Sequence, residues 1–183
     1  MNDQPRGRPI GGHPIIFRAL RYRNFRLFFT GQSISLIGTW MQSIAMSWLV
    51  YRMTGSALLL GVVGFSSQIP TFILSPFAGV FADRYNRHRI VIATQVLSMV
   101  QAFILAYLTL TGKIQVWHII ALGLFLGCIN AVDIPTRQSF LIDMVEKKEM
   151  LGNAIALNSA IFNGARLIGP TIAGILVAVV GEG

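Results

Sequence analysis

Runs of about 20 mostly apolar residues recur along this chain, separated by short charged connectors. An aqueous core cannot hide several such runs. A bilayer accepts each as a helix whose backbone groups are bonded internally. Of the 183 residues, 54% are hydrophobic and 12% charged, and mean hydropathy is +0.62. A soluble domain is nearer a quarter charged. The fold class that follows is an all-α membrane protein, a multi-pass helix bundle.

In chain order, the sequence reads as a basic tail over 1–24, then five spans at about 25–50, 57–82, 90–110, 116–137 and 153–180. Between the last two lies the longest polar connector. Its apolar residues Phe140, Leu141, Met144, Val145, Met150 and Leu151 alternate with Asp143, Glu146, Lys147, Lys148 and Glu149. That pattern predicts an amphipathic helix on the membrane surface over 139–152. Residues 181–183 form a short end. Thr54 or Ser56 is suited to cap the second helix. Gly61 and Gly64 suit close helix packing, and Pro70 and Pro76 each remove a backbone donor.

Net charge is +8, yet nucleic acid is a poor partner. The positive residues sit in connectors rather than along one polar face, which is how topology-setting charge is distributed. Arg6, Arg8, Arg18, Arg21, Arg23 and Arg26 share one side of the membrane with Arg84, Arg87, Arg89, Arg137, Lys147 and Lys148. Arg52 and Lys113 fall on the other. This asymmetry places the N-terminus in the cytoplasm. A single cysteine, Cys128, rules out a disulfide within the chain. No catalytic triad, metal-ligand spacing or phosphate-binding loop is present, so neither an enzyme nor a cofactor is expected.

Polar residues inside the spans are the informative ones. Gln32, Ser35, Thr39 and Gln42 recur at three- and four-residue spacing and share one helix face. Such a stripe lines a substrate cavity or bonds to other helices. Asp133 lies near the cytoplasmic end of the fourth span. Arg84 or Arg87 could reach it from the connector after span two, giving an Asp83/Arg87/Asp133 cluster with Arg137 beside it. Arginines this dense favour a permanently charged latch over a proton carrier. Arg166 lies well inside the fifth span, where a charge is costly and needs a partner or a watery cavity. It attracts an anionic substrate or repels a proton from a nearby acid, or else it bonds to polar groups such as Asn163 or Gln on neighbouring helices.

The stretch Gly79-Val-Phe-Ala-Asp-Arg-Tyr-Asn-Arg-His-Arg89 connects spans two and three. It resembles the major facilitator superfamily motif G-x-L-A-D-R-x-G-R-K, with Gly79, Ala82, Asp83, Arg84 and Arg87 in place. Asn86 stands where the motif has its second glycine, as expected if that site needs a left-handed turn. Gly164-Ala-Arg-Leu-Ile-Gly-Pro-Thr-Ile-Ala-Gly174 resembles the exporter-associated G-P-x-x-G-G motif through Gly169, Pro170 and Gly174, with Gly164 shifted by one residue. Gly31-Gln-Ser-Ile-Ser-Leu-Ile-Gly-Thr-Trp40 and Asp133-Ile-Pro-Thr-Arg-Gln138 look like the enterobactin-exporter-like branch.

The resemblance implies secondary active export of a small amphipathic molecule, a siderophore or drug, with protons as coupling ion, by alternating access in the cell's inner membrane. It assigns Asp83 to a contact with a helix N-terminus in the superfamily's second half. It also implies a tight, pivoting helix around Pro170. Two departures stand out. The superfamily's R-x-x-Q-G in span four is represented by Gly127 alone, with Gly123 and Leu126 at the Arg and Gln sites. The superfamily also has twelve helices in two halves, and this chain resembles only the first five. It is therefore expected to be a partial transporter that needs a C-terminal half or a second copy. The alternative is a non-transporting receptor or assembly subunit.

Overall fold

The computed structural model describes residues 23–144 and 151–180, apart from the side chains of Asn24, Asp83 and Val180. Of the tail expected over 1–24, residues 1–22 lie outside the described residues, as does the end at 181–183, while residues 23–24 open the first helix. Five helices follow in order: α1 Arg23–Thr54, α2 Ala57–Arg84, α3 Arg87–Leu110, α4 Val116–Asp143 and α5 Leu151–Val180. There is no strand among the described residues, and the chain is an all-α multi-pass membrane protein.

The turns follow from local chemistry. Gly55 (φ 61°) and Gly112 (φ 66°) take left-handed conformations that only glycine adopts without strain. Ser56 then caps α2, its hydroxyl accepting from the Leu59 N–H. Asn86 departs from the expectation of a left-handed turn. Its φ is −65° and its ψ 109°, and its side-chain oxygen accepts from the Arg89 N–H as the N-cap of α3. A capping oxygen satisfies an otherwise orphaned amide at the start of a helix, which a glycine cannot do.

Helices α2 to α5 are long and apolar enough to cross a membrane. α1 falls short on apolar content, and its polar stripe is the reason. It nonetheless runs parallel to α5. Phe25 clusters with Ala154 and Leu157 near the two helix starts, and Trp40 meets Gly169 and Phe162 farther along. A helix in register with a spanning neighbour at two separated levels shares its depth.

α4 is the central helix. Of its apolar window 39% is buried, against 17% in each of α2, α3 and α5. It runs parallel to α2 and antiparallel to α3. The α2 crossing is close because α4 offers no side chain there. A Cβ on Gly127 would lie 2.5 Å from the Ser67 carbonyl oxygen and 3.0 Å from the Pro70 ring. A Cβ on Gly123 would lie 2.8 Å from the Ser67 hydroxyl. Thr71 then donates to the Gly127 carbonyl at 3.0 Å. Gly61 and Gly64, expected to serve close packing, have nothing within 4 Å of an added Cβ. Both face out of the bundle on α2, and the contact is made from α4 instead.

α4 also runs past the expected end at Arg137, to Asp143. Residues 139–143, assigned from sequence to a separate surface helix, continue α4. Leu141 is 5% exposed and packs with Phe25, Ala154 and Leu157. Phe140 meets Phe28 and His88 edge-on or tilted, each at 5.7 Å. This burial between α1 and α5 holds the last turns in place. Residues 145–150 of that connector lie outside the described residues, and 151–152 open α5.

Candidate functional site

A buried polar knot sits toward the end of the bundle where α1, α3 and α5 begin and α2 and α4 finish. Asp133 is 5% exposed and Thr94 also 5%. The Thr94 hydroxyl donates to Asp133 Oδ1 at 2.6 Å. One turn along α4, Arg137 donates from one terminal nitrogen to Asp133 Oδ2 and from the other to Gln32 Oε1. One carboxylate and one guanidinium thus join α1, α3 and α4. Arg137 Nε is buried with no acceptor among the described residues, so the guanidinium is held there by its two terminal nitrogens.

The expected partner of Asp133 was Arg87 or Arg84. Arg87 instead pairs with Asp143 at 2.7 Å, where the two side chains are 30% and 51% exposed. Asp143 is ten residues beyond Asp133, about 15 Å by helical rise, and the start of α3 lies at that outer level. Arg137 is four residues from Asp133 on the same helix face and reaches it first. An exposed pair such as Arg87–Asp143 contributes only about 0–1 kcal/mol. Arg84 is exposed, and Gly79 has open space beside it. The side chain of Asp83 lies outside the described residues.

The α1 stripe divides between two roles. Gln32 accepts from Arg137. Ser35 donates to Gln95 and Gln42 donates to Gln101, both at 2.8 Å. Gln101 is fully buried and donates onward to the Leu122 carbonyl. These three members bond between helices. Thr39 is exposed, its hydroxyl turned back to the Ser35 carbonyl. Ser43, one turn on, is exposed as well.

The exporter-like segment contributes one close contact. A Cβ on Gly169 would lie 2.6 Å from the Trp40 Cβ and 3.0 Å from the Ile37 carbonyl, so α1 and α5 cross there. Gly164 and Gly174 have nothing within 4 Å of an added Cβ, and Pro170 follows inside α5. Beside this crossing, the Arg166 guanidinium lies over the Trp40 ring, 5.6 Å from its centroid. Phe162 meets the same ring edge-on at 6.1 Å. Sequence reasoning named Arg166 and missed Trp40 as its partner. The signal lay in a shared depth on two parallel helices, which sequence spacing within one helix does not carry. Gly123 also explains a departure from the superfamily pattern. With the Ser67 hydroxyl 2.8 Å from where its Cβ would stand, any larger side chain there would require Ser67 to shift.

An all-α bundle with polar knots buried between apolar spans, and polar residues exposed on α1, defines a multi-pass membrane protein. The chain belongs to the major facilitator superfamily: residues 16–183 match the family described as transmembrane secretion effector. It is 34% identical over 155 residues to the staphyloferrin A transporter of Staphylococcus aureus, covering 84% of this chain and 39% of that protein. It is 23% identical over 163 residues to macrolide efflux protein A of Streptococcus pyogenes, 87% of this chain and 40% of that protein. It is 24% identical over 148 residues to the multidrug efflux pump Tap of Mycolicibacterium fortuitum, 79% of this chain and 36% of that protein. The chain thus spans about two fifths of the length of the curated relatives it matches. No solved structure gives a significant match. Family and relatives are transporters rather than enzymes.

Proposed function

We propose that this chain forms the N-terminal helices of a proton-coupled exporter of a small amphipathic molecule, a siderophore or drug, working by alternating access. The observation that carries the reading is Arg166. It is exposed midway along an apolar helix, about 22 Å from the helix start by rise. A cation at that depth is too costly to face lipid and belongs on a watery pathway. The relatives named for a siderophore, for macrolides and for multidrug efflux support export as the direction. The opposite wall of the pathway comes from a further half or from a second copy of the chain.

The orientation follows from charge. Arg23, Arg26, Arg84, Arg87, Arg89 and Arg137 gather at one end of the bundle, which favours a cytoplasmic position for that end and for the N-terminus. The Asp133–Arg137–Gln32 knot then lies on the cytoplasmic side. It serves as a charged structural latch rather than as the proton carrier, and the gating role implied by the connector motif is kept for Gly79, Asp83, Arg84 and Arg87 at the same end of the bundle.

The test is transport in inverted membrane vesicles containing the complete natural gene product. Energised vesicles should accumulate a labelled siderophore or macrolide, and collapsing the pH gradient should abolish the accumulation. Asp133→Asn should slow the rate without moving its pH dependence. Accumulation indifferent to the pH gradient would remove proton coupling from the account. An Asp133→Asn protein that transports without needing the gradient would make Asp133 the carrier and end the latch reading.

A further inference from the structure

The Arg166 site has a more specific chemistry than a generic cavity wall. Arg166 has no acidic partner among the described residues. Its one described contact is the face of Trp40. The ring is itself fixed: Gly169 backs its Cβ and Phe162 meets its edge. At 5.6 Å from the ring centroid the guanidinium is within range of cation–π attraction, and no described acid takes its N–H donors, whose planar fork suits a carboxylate held by two parallel bonds. Beside it lie the exposed Phe162, 46% accessible, and the exposed Asn163, whose amide nitrogen donates to the Ser159 carbonyl. A charged fork next to an aromatic face is matched by a molecule with an anionic group on an apolar or aromatic body.

We infer that Arg166, Trp40 and Phe162 form a subsite for the carboxylate end of an amphipathic small molecule. Arg166 binds the carboxylate, and Trp40 and Phe162 cover the adjoining apolar part. The inference rests on the reading that the exposed faces of α1 and α5 border the transport pathway. A cation without an acid beside it favours an anionic ligand over a neutral analogue of the same shape, because only the anion gains a charge-assisted hydrogen bond. Net positive charge at the subsite likewise disfavours a cationic ligand of the same shape.

The experiment is a binding titration in nanodiscs on the chain with Trp48→Phe and Trp117→Phe, so that Trp40 alone reports. The probes are 1-pyrenebutyrate and the uncharged 1-pyrenebutanol, whose pyrene quenches indole fluorescence at short range. Saturable quenching by the carboxylate should be at least about tenfold tighter than by the alcohol, the worth of one charge-assisted hydrogen bond. Arg166→Gln should abolish that preference, and Arg166→Lys should restore part of it. Near-ultraviolet circular dichroism of each variant verifies that the bundle is intact. Equal affinity for the two probes, absence of saturable quenching, or a preference that survives Arg166→Gln overturns the assignment.

The same titration on the complete gene product separates the two sources of a carboxylate. A preference kept there supports the substrate. A preference lost there gives Arg166 to an acidic side chain of the rest of the protein, and overturns the inference. Binding is read without any gradient. A protein that prefers the carboxylate probe yet exports nothing refutes the transport reading alone. Export untouched by Arg166→Gln, for charged and neutral compounds alike, refutes the subsite alone.

Discussion

Asp133→Ala is expected to be among the most destabilising single substitutions in this chain, costing about 3–5 kcal/mol. The side chains of Asp133 and Arg137 are 7% and 13% exposed. Removing the carboxylate leaves a buried guanidinium with Gln32 as its remaining described acceptor, and leaves the Thr94 hydroxyl with only the Val91 carbonyl. The penalty comes from the uncompensated charge more than from the lost attraction. The double change Asp133→Leu with Arg137→Met should therefore recover much of the stability, since an apolar pair of similar volume removes both charges. Unfolding in mixed micelles by added sodium dodecyl sulfate reads both values. A double variant as unstable as Asp133→Ala would mean that the pair's attraction, not the orphaned charge, dominates. The exposed Asp143 offers no comparable leverage, because its pair with Arg87 is open to water.

The second large effect is expected at Gly127. Gly127→Ala places a methyl 2.5 Å from the Ser67 carbonyl oxygen and 3.0 Å from two Pro70 ring carbons. A backbone oxygen and a proline ring cannot swing aside, so α2 and α4 must separate. Overpacking of this kind costs about 1–3 kcal/mol, and the intrinsic helix gain of alanine over glycine returns only about 1 kcal/mol. Strain wins, the more so because Thr71 also loses its bond to the Gly127 carbonyl. Gly61→Ala is the matched control. Nothing lies within 4 Å of its added methyl, so stability should hold or rise by up to about 1 kcal/mol. Thermal unfolding in one detergent ranks the two. Equal behaviour would show that the α2–α4 crossing tolerates extra width.

The helices were legible because a bilayer leaves few alternatives for long apolar runs, and the turns at Gly55 and Gly112 punctuate them plainly. The end of α4 was not. An amphipathic pattern at 139–143 reads the same on a surface helix and on a helix that continues between two neighbours. Only the burial of Leu141 against Phe25 and Leu157 separates the two cases. Glycine composition was similarly ambiguous. Gly61 and Gly64 looked like packing glycines, yet the contact is made by Gly123 and Gly127, whose four-residue spacing was the better signal. In the candidate site, the identities of Asp133, Arg137, Gln32 and Arg166 could be named from their cost in an apolar setting. Their partners could not, apart from Arg137, which stands one turn from Asp133. Thr94, Gln95, Gln101 and Trp40 sit on other helices, and which faces meet is settled by packing.

An export pathway along α1 requires its exposed polar face to meet water. Cysteine accessibility in sealed membranes answers this directly, in the complete gene product with Cys128→Ser. Ser43→Cys, on the polar face, should react with a small membrane-impermeant methanethiosulfonate, and bound export substrate should slow the reaction. Ile34→Cys, 69% exposed on the apolar side of the same helix, should stay unlabelled because a thiol in lipid does not ionise. Labelling of neither position, or of both alike, would contradict an aqueous pathway along α1 and with it the exporter reading.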